Sequence, residues 1–438
     1  SLVLSNDSLL YSWGTNEYGE LGIENANRFY KQPHKINKLS GIRNVYSAES
    51  HSLIVANSGK CYVFGDNKYD ETGCGTAEYA KPLLLSETIR PNSIFLGRGH
   101  SFFRNQTGSW CVWGANNYGC YGDGNSYTLN KSPIQISLDV TFKYLALGEF
   151  FSVGIKSNGT LWAWGRNNYG QLGNNTISNS SSPVQITSDY NWIAVACGWY
   201  HSVAIKDDGS LWTWGYNYYG QLGDSSTIDK RVPTQIGSSY DWVSVSCGAE
   251  FTIAKKIDGS LWAWGYNDEG QLGDSSTISR NQPVQIGNST DWTTFACGDY
   301  HTIALKNDGT LWAWGKNDLG QLGDSTTVNR NYPVKISNKT DWIKIAAGRN
   351  TSFAICSPSG FVAPILLSPA NNSRIRDYDT LFVWKTVQDA NSYRFQLGSD
   401  SLFNYSTIDV TTSDTTQKFP EFTQNGVYYW RVRAMNDY

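Results

Sequence analysis

Four of the five histidines in this 438-residue sequence, His51, His100, His201 and His301, recur at steps of 49, 101 and 100 residues. Imidazoles on such a spacing could ring a metal ion or switch charge with pH. Phe151, Phe251 and Thr351 fill the same column, so the pattern favours a satisfied hydrogen bond at a strand start over a ligand. Asp224, Asp274 and Asp324, with Asn174 in the equivalent place, are candidate calcium ligands. Each stretch offers one carboxylate plus Ser or Thr, far short of a calcium shell, and an Asx turn bonding local backbone accounts for them. Lys230, Arg280 and Arg330 follow in a shared column and are expected to pair locally. Cys197, Cys247 and Cys297 alternate with Leu147 and Ala347, the behaviour of a small buried hydrophobe. Cys74 and Cys120, in equivalent loops, form one candidate disulfide and Cys61 with Cys111 another, provided their Cα atoms come within about 7 Å. No CxxC or Cys/His zinc spacing, Gly-x-Ser-x-Gly elbow, phosphate loop, zinc-protease motif or verifiable glycosidase pair is present. The sequence therefore predicts no catalytic residue, no metal site and no cofactor.

These columns ride on a repeat. Trp-Gly, once Phe-Gly, recurs at Trp13, Phe64, Trp113, Trp164, Trp214, Trp264 and Trp314, in steps of 51, 49, 51, 50, 50 and 50 residues. Seven anchors make seven units. In residues 292–336 a first strand (Trp292 to Ala296) ends in Cys297-Gly298, and a second runs from His301 to Leu305. Asn307-Asp308-Gly309 is a hairpin signal, because such turns need positive φ. A third strand, Leu311 to Trp314, leads through a Gly-rich loop to a fourth around Pro333 to Ile336. Four short strands, apolar on both faces, cannot stand alone; stacked radially they bury both faces, which is the propeller solution. The tryptophan pairs 162/164, 212/214, 262/264 and 312/314 are expected between blades rather than against sugars. Ring closure needs the chain ends to share a blade, with Trp342 to Ala346 as its first strand and either Leu2 to Ser5 or Ser352 to Ile355 as its second.

The runs Trp164-Gly-Arg-Asn-Asn-Tyr-Gly-Gln-Leu-Gly173 and Trp264-Gly-Tyr-Asn-Asp-Glu-Gly-Gln-Leu-Gly273 resemble the regulator of chromosome condensation repeat. The resemblance covers residues 1–356 and implies a seven-bladed β-propeller. Blade 2 departs most, with Phe64 and Glu71-Thr72-Gly73-Cys74, and blade 3 carries Cys120-Tyr121-Gly122. The family also implies protein partners: a nuclear GTPase and nucleosomes for its founding member, β-lactamases for a secreted bacterial relative. From Ser357 the repeat stops, and Pro358, Gly360 and Pro364 mark a linker over 357–368. Residues 369–438 resemble a partial fibronectin type III domain of the bacterial extracellular sort, with Trp384 as core tryptophan and Tyr428 as tyrosine corner. The expected fold class is all-β: a seven-bladed propeller followed by an immunoglobulin-like sandwich.

A net charge of −3 disfavours nucleic acid, and no apolar run reaches the roughly 20 residues that span a bilayer. Function is then sought in residues that change on a constant frame. The turn after the first strand and the residue after Trp-Gly both vary, and alternating strand direction puts both on one face. Trp199, Tyr200, Tyr216, Tyr266, Arg166, Lys316, Glu250, Asp299, Tyr300 and Arg349 are the candidate binding residues. Exposed Trp, Tyr and Arg on loops suit protein recognition. The expectation is an extracellular or cell-surface protein-interaction module, of bacterial type. A carbohydrate-binding surface protein and a structural or adhesive unit that self-assembles are the alternatives.

Overall fold

The computed structural model describes residues 8–356 except 24–26, 37–38, 40, 49–50, 66–71, 73–78, 87–93, 106 and 140, and beyond them 364, 366–368, 380–387, 392–398, 408–419 and 428–435. Ser8–Cys356 is one compact unit, and Ser357–Tyr438 belongs to another. The first consists of seven four-stranded antiparallel sheets, one for each Trp-Gly anchor. Blade 7 shows the plan: inner strand Trp292–Cys297, then His301–Lys306, Leu311–Gly315 and outer strand Arg330–Lys335. Residues His301 to Leu305 of its second strand are all buried, since alternate side chains enter the interfaces with both neighbouring blades.

The inner strands close a ring. Ile42–Ser47, Ile94–Leu96, Phe142–Leu147, Trp192–Cys197, Trp242–Cys247, Trp292–Cys297 and Trp342–Ala347 each touch the next, and the last touches the first. A belt of backbone hydrogen bonds crosses the blade junctions: Glu149 N to Trp199 O, Trp199 N to Ala249 O, Ala249 N to Asp299 O, Asp299 N to Arg349 O, and Arg349 N to Ala48 O, all 3.0–3.2 Å. The closing blade takes two strands from each end of the unit. Trp342–Ala347 and Thr351–Cys356 join Leu9–Thr15 and Phe29–Lys35, with Ser352 opposite Trp13 and Ile355 opposite Leu10. Ser352 to Ile355 is thus the second strand; Leu2 to Ser5 lies outside the described residues.

The repeat motif works across blades. Gly315 sits at φ +99°, and a Cβ there would lie 2.5 Å from the Tyr300 carbonyl oxygen, so the anchor tryptophan must be followed by glycine. A Cβ on Gly273, in the Leu-Gly of blade 6, would lie 2.7 Å from the Trp314 indole of blade 7. Each loop glycine is therefore the floor under the next blade's indole. Trp164, Trp214, Trp264 and Trp314 are fully buried there. Their partners Trp162, Trp212, Trp262 and Trp312 are half-buried and pack against the same inter-blade clusters, so both members lie between blades as expected, at different depths. They sit at the edge of that interface, as Trp212 does edge-on to Trp192 at 5.9 Å.

The second unit contains two three-stranded antiparallel sheets, Leu366–Ser368 with Thr380–Trp384 and Thr416–Phe419, and Ile408–Thr412 with Ser392–Gly398 and Tyr429–Met435. Phe382, Trp384, Tyr393, Phe395 and Leu397 make one core between them, with Tyr428 against it. Cys61, Cys111 and Cys120 are buried free thiols, so the 61–111 bridge is not formed. Cys120 Sγ donates to Ala115 O at 3.2 Å, and Cys74 lies outside the described residues.

Candidate functional site: the variable face of the propeller

In each regular blade the loop after Trp-Gly is folded around one buried asparagine. Asn217 Oδ1 accepts from Leu222 N at 3.0 Å, while its Nδ2 reaches Asp224 Oδ1, Ser226 O and Ile228 O at 3.0–3.2 Å. Asp224 Oδ1 also accepts from Ser226 N, and its Oδ2 lies 3.1 Å from Lys230 Nζ. Arg280 with Asp274 and Arg330 with Asp324 repeat the pair. The aspartate column is an Asx turn closed by a cation, as the spacing suggested, and its oxygens are spent. The same loops hold Ile228, Ile278 and Val328 outward as exposed apolar side chains, which the sequence reading missed although they recur every 50 residues.

The histidines bind blade to blade. His201 Nε2 lies 3.0 Å from Thr252 Oγ1 of the next blade, and that hydroxyl donates to Gln221 O at 3.1 Å. His100 with Ser152 and Cys120 O, and His301 with Ser352 and Gln321 O, repeat the relay. A hydroxyl has one proton. Because it goes to the carbonyl, the imidazole must donate from Nε2, and Nδ1 keeps a bare lone pair. Burial holds His51 down to about 4, and His100, His201 and His301 to about 3. The imidazoles of His100, His201 and His301 lie against the glycine that follows the inner strand: a Cβ on Gly198 would be 2.4 Å from His201 Nδ1. In blades 4 and 6 a phenylalanine ring takes that space, with a Cβ on Gly148 falling 1.9 Å from Phe151 Cε1. His and Phe exchange because both put a flat ring in that space, and in the closing blade Thr351 takes the position.

Within that frame the two variable columns are stitched together by backbone: Arg166 N to Phe150 O, Tyr216 N to Tyr200 O, Tyr266 N to Glu250 O and Lys316 N to Tyr300 O, at 2.8–2.9 Å. Their side chains form a continuous arc. Arg166 lies 5.3 Å from the Tyr118 ring and 4.8 Å from Tyr200, with Glu149 at 3.7 Å. Tyr169 contacts Tyr200 at 5.2 Å and Tyr216 at 4.8 Å, Tyr216 stacks with Tyr218 at 6.4 Å, and Tyr218 meets Tyr219 at 4.9 Å. Tyr219 then meets Tyr266 at 4.8 Å, Tyr266 meets Tyr300 at 5.8 Å, and Tyr300 meets Trp199 at 6.0 Å. Trp199 crosses the mouth of the central channel. The Arg98 guanidinium of blade 3 lies 4.3 Å from its ring, and its Nε1 points to Asp299 Oδ1 of blade 7 at 3.3 Å. Arg349 reaches Asp299 at 3.8 Å, and Lys316 pairs with Asp318 at 3.3 Å.

All ten expected residues therefore lie on one face. Sequence reasoning left out Tyr118, Tyr169 and Tyr219, whose column is tyrosine in five of the seven blades and Glu269 or Leu319 in the other two, and Tyr218, whose counterparts include Asn168, Asp268 and Asp318. Beneath Trp199 the channel holds a cavity of about 140 Å³, lined among others by Cys197, Cys247 and Cys297. Pockets for drug-sized molecules run to about 300–1,000 Å³. Burial pushes the Cys247 thiol well above its usual range, with its two neighbours adding to the effect. Those cysteines are half-buried wall residues rather than core. Among the described residues no group of three His, Cys, Asp or Glu side chains could hold a metal, and no helix is long and apolar enough to cross a membrane.

The opposite face repeats. Lys206 lies 4.8 Å from the Trp192 ring and 4.3 Å from Trp212, and pairs with Asp189 at 2.8 Å. Lys256 with Trp242, Trp262 and Asp241, and Lys306 with Trp292, Trp312 and Asp291, copy the clamp. Lys156 builds it in blade 4 with Phe142, Trp162 and Asp139.

The RCC1-like domain family model matches residues 135–363, and the regulator of chromosome condensation (RCC1) repeat model matches residues 7–55. Protein RCC2 of Mus musculus is 33% identical over 152 residues, 33% of this chain and 29% of that protein. The probable E3 ubiquitin-protein ligase HERC4 of Homo sapiens is 28% identical over 186 residues, 41% of this chain and 18% of that protein. The chain thus spans less than a third of the length of either relative. Human WBSCR16 superposes with a TM-score of 0.71 at 21% identity, covering 80% of this chain and 99% of that one. Prp20p of Saccharomyces cerevisiae does so with 0.71 at 19%, covering 81% and 92%. With the anchor, the loop asparagine and the glycine floor each given a place in the ring, the chain belongs to the family of RCC1-like proteins.

Proposed function

We propose that this propeller is a protein-recognition module whose variable face, centred on Trp199, Tyr216 and Tyr266, docks a protein partner, and that it binds rather than catalyses. The observation that carries the reading is the unbroken arc of Tyr, Trp and Arg, in which the columns of Arg166, Trp199 and Tyr200 change from blade to blade, while the opposite face repeats one clamp. Aromatic and guanidinium side chains are the residue types that dominate binding energy at protein interfaces. Two solved structures of one relative support a protein partner by analogy: Prp20p, described with binding to Gsp1p and histones, and the same yeast protein bound to Kap60. The test is affinity capture with the full chain, followed by titration of the captured protein against Trp199→Ala plus Tyr216→Ala. Loss of at least about 30-fold in affinity is expected for a hot-spot pair. Unchanged affinity refutes the face, and hits on a glycan array instead of a captured protein favour the sugar-binding alternative.

The finer parts of the reading belong to the second unit. Two sheets sharing a core around Trp384, with Tyr428 against it, support a fibronectin type III-like sandwich. An exterior, bacterial location rests on that likeness alone. Surface labelling of intact source cells tests it, and labelling only after lysis refutes it.

A further inference from the structure

One sector of the variable face specifies the partner's chemistry further, on the premise that the face binds protein. In blade 4 the chain supplies its own ligand to the aromatic arc: Arg166 lies against Tyr118 and Tyr200 and pairs with Glu149 at 3.7 Å, both side chains under 20% exposed. Two blades on, the position of Arg166 is Tyr266, and the turn bears Glu250. The Glu250 carboxylate is half-buried beside Tyr216, Tyr219 and Tyr300, whose phenols feel its charge. Tyr219, Tyr266 and Tyr300 form a continuous wall, with ring separations of 4.8 and 5.8 Å.

The Glu250 carboxylate makes no hydrogen bond or ion pair with any described residue. The nearby cations are engaged elsewhere: Arg98 on Trp199, Arg349 with Asp299, and Lys316 with Asp318 at 3.3 Å, its Nζ 5.9 Å from the Tyr300 ring. The other charges around the tyrosines, Asp229, Asp268, Glu269 and Asp299, are negative. An acidic, aromatic-walled recess attracts a cation, and a planar guanidinium suits it better than an ammonium, because it stacks on rings and sheds water more easily. The molecule's own examples agree: the cations seated closest on the rings of this face are Arg98 and Arg166.

We propose that Glu250, walled by Tyr216, Tyr219, Tyr266 and Tyr300, is a subsite for an arginine side chain presented by the protein partner. Burial, and then the like charge of Asp299, raise Glu250 to about 7. A bound guanidinium favours the carboxylate, so binding near neutral pH releases a proton, and acid weakens it.

The probe is a blocked Gly-Arg-Gly peptide and its citrulline counterpart, equal in shape but neutral, titrated into the full chain by saturation-transfer NMR. The arginine peptide is expected to bind with a Kd of about 1 mM, and at least tenfold more tightly than the citrulline peptide. That preference is lost in Glu250→Gln and falls on the order of tenfold from pH 7.5 to 5.5. Equal binding of the two peptides, or an arginine preference that survives Glu250→Gln in a variant with unchanged melting temperature, overturns the subsite. If partner capture still fails in Trp199→Ala plus Tyr216→Ala while Glu250→Gln binds normally, the protein-binding face stands and the arginine subsite falls. If no variant affects capture, both fall.

Discussion

The two faces of the propeller are built on the same strands and differ in kind. One face repeats an aspartate–lysine–tryptophan clamp in blade after blade, with Lys206, Lys256 and Lys306 each between two indoles. The other carries Glu149, Trp199, Ala249, Asp299 and Arg349 at one equivalent position, and their neighbours form an aromatic arc that exists once. A contact that every blade makes serves the ring, since each blade solves the same packing problem. A contact made once, at solvent-facing loop ends, is not required by the ring. On the proposed function, that difference separates frame from recognition.

The predictions break that contrast at decreasing cost. Acid acts most strongly on the repeated frame. The four buried histidines have folded values near 3 to 4 against about 6.5 unfolded, so their contribution is complete above pH 6.5 and is lost as pH falls toward their folded values. Each adds up to about 1.4 kcal/mol per pH unit of destabilisation across that window. Urea midpoints between pH 7 and 4 measure it, and His201→Phe, which copies blades 4 and 6, should make the slope shallower. Trp214→Ala, at an interface tryptophan, should cost about 3–5 kcal/mol, read from equilibrium denaturation. Asn217→Ala strands the Leu222 amide and the carbonyls of Ser226 and Ile228, and should cost about 1–3 kcal/mol. Lys206→Ala removes a solvent-edge clamp and should cost about 1 kcal/mol. Tyr218→Ala, exposed on the arc, should change stability by no more than about 0.5 kcal/mol.

The blade count, the order of strands and the Asx turns were legible in the sequence because they depend on local turn chemistry and a fixed period. So was the grouping of Arg166, Tyr216, Tyr266 and Lys316 with the turn residues, since strand direction alone puts them on one face. The roles of the two tryptophans in each pair were not legible. Trp212 and Trp214, two residues apart, leave the same side of the strand, and what each meets there, Trp192 at the edge or Gly173 of the preceding blade, is a tertiary fact. The bridging of the channel mouth by Arg98, Trp199 and Asp299 was hidden for the same reason: the three residues lie 101 and 100 positions apart and meet only because the ring closes.

The central claim is that the once-only face binds and the repeated face does not. Its most direct measurement is the affinity of the captured partner for three versions of the full chain: unaltered, Trp199→Ala plus Tyr216→Ala, and Lys206→Ala. The account predicts a loss of about 30-fold or more for the double variant and less than about twofold for Lys206→Ala. Equal affinity in all three, or loss confined to Lys206→Ala, would contradict it.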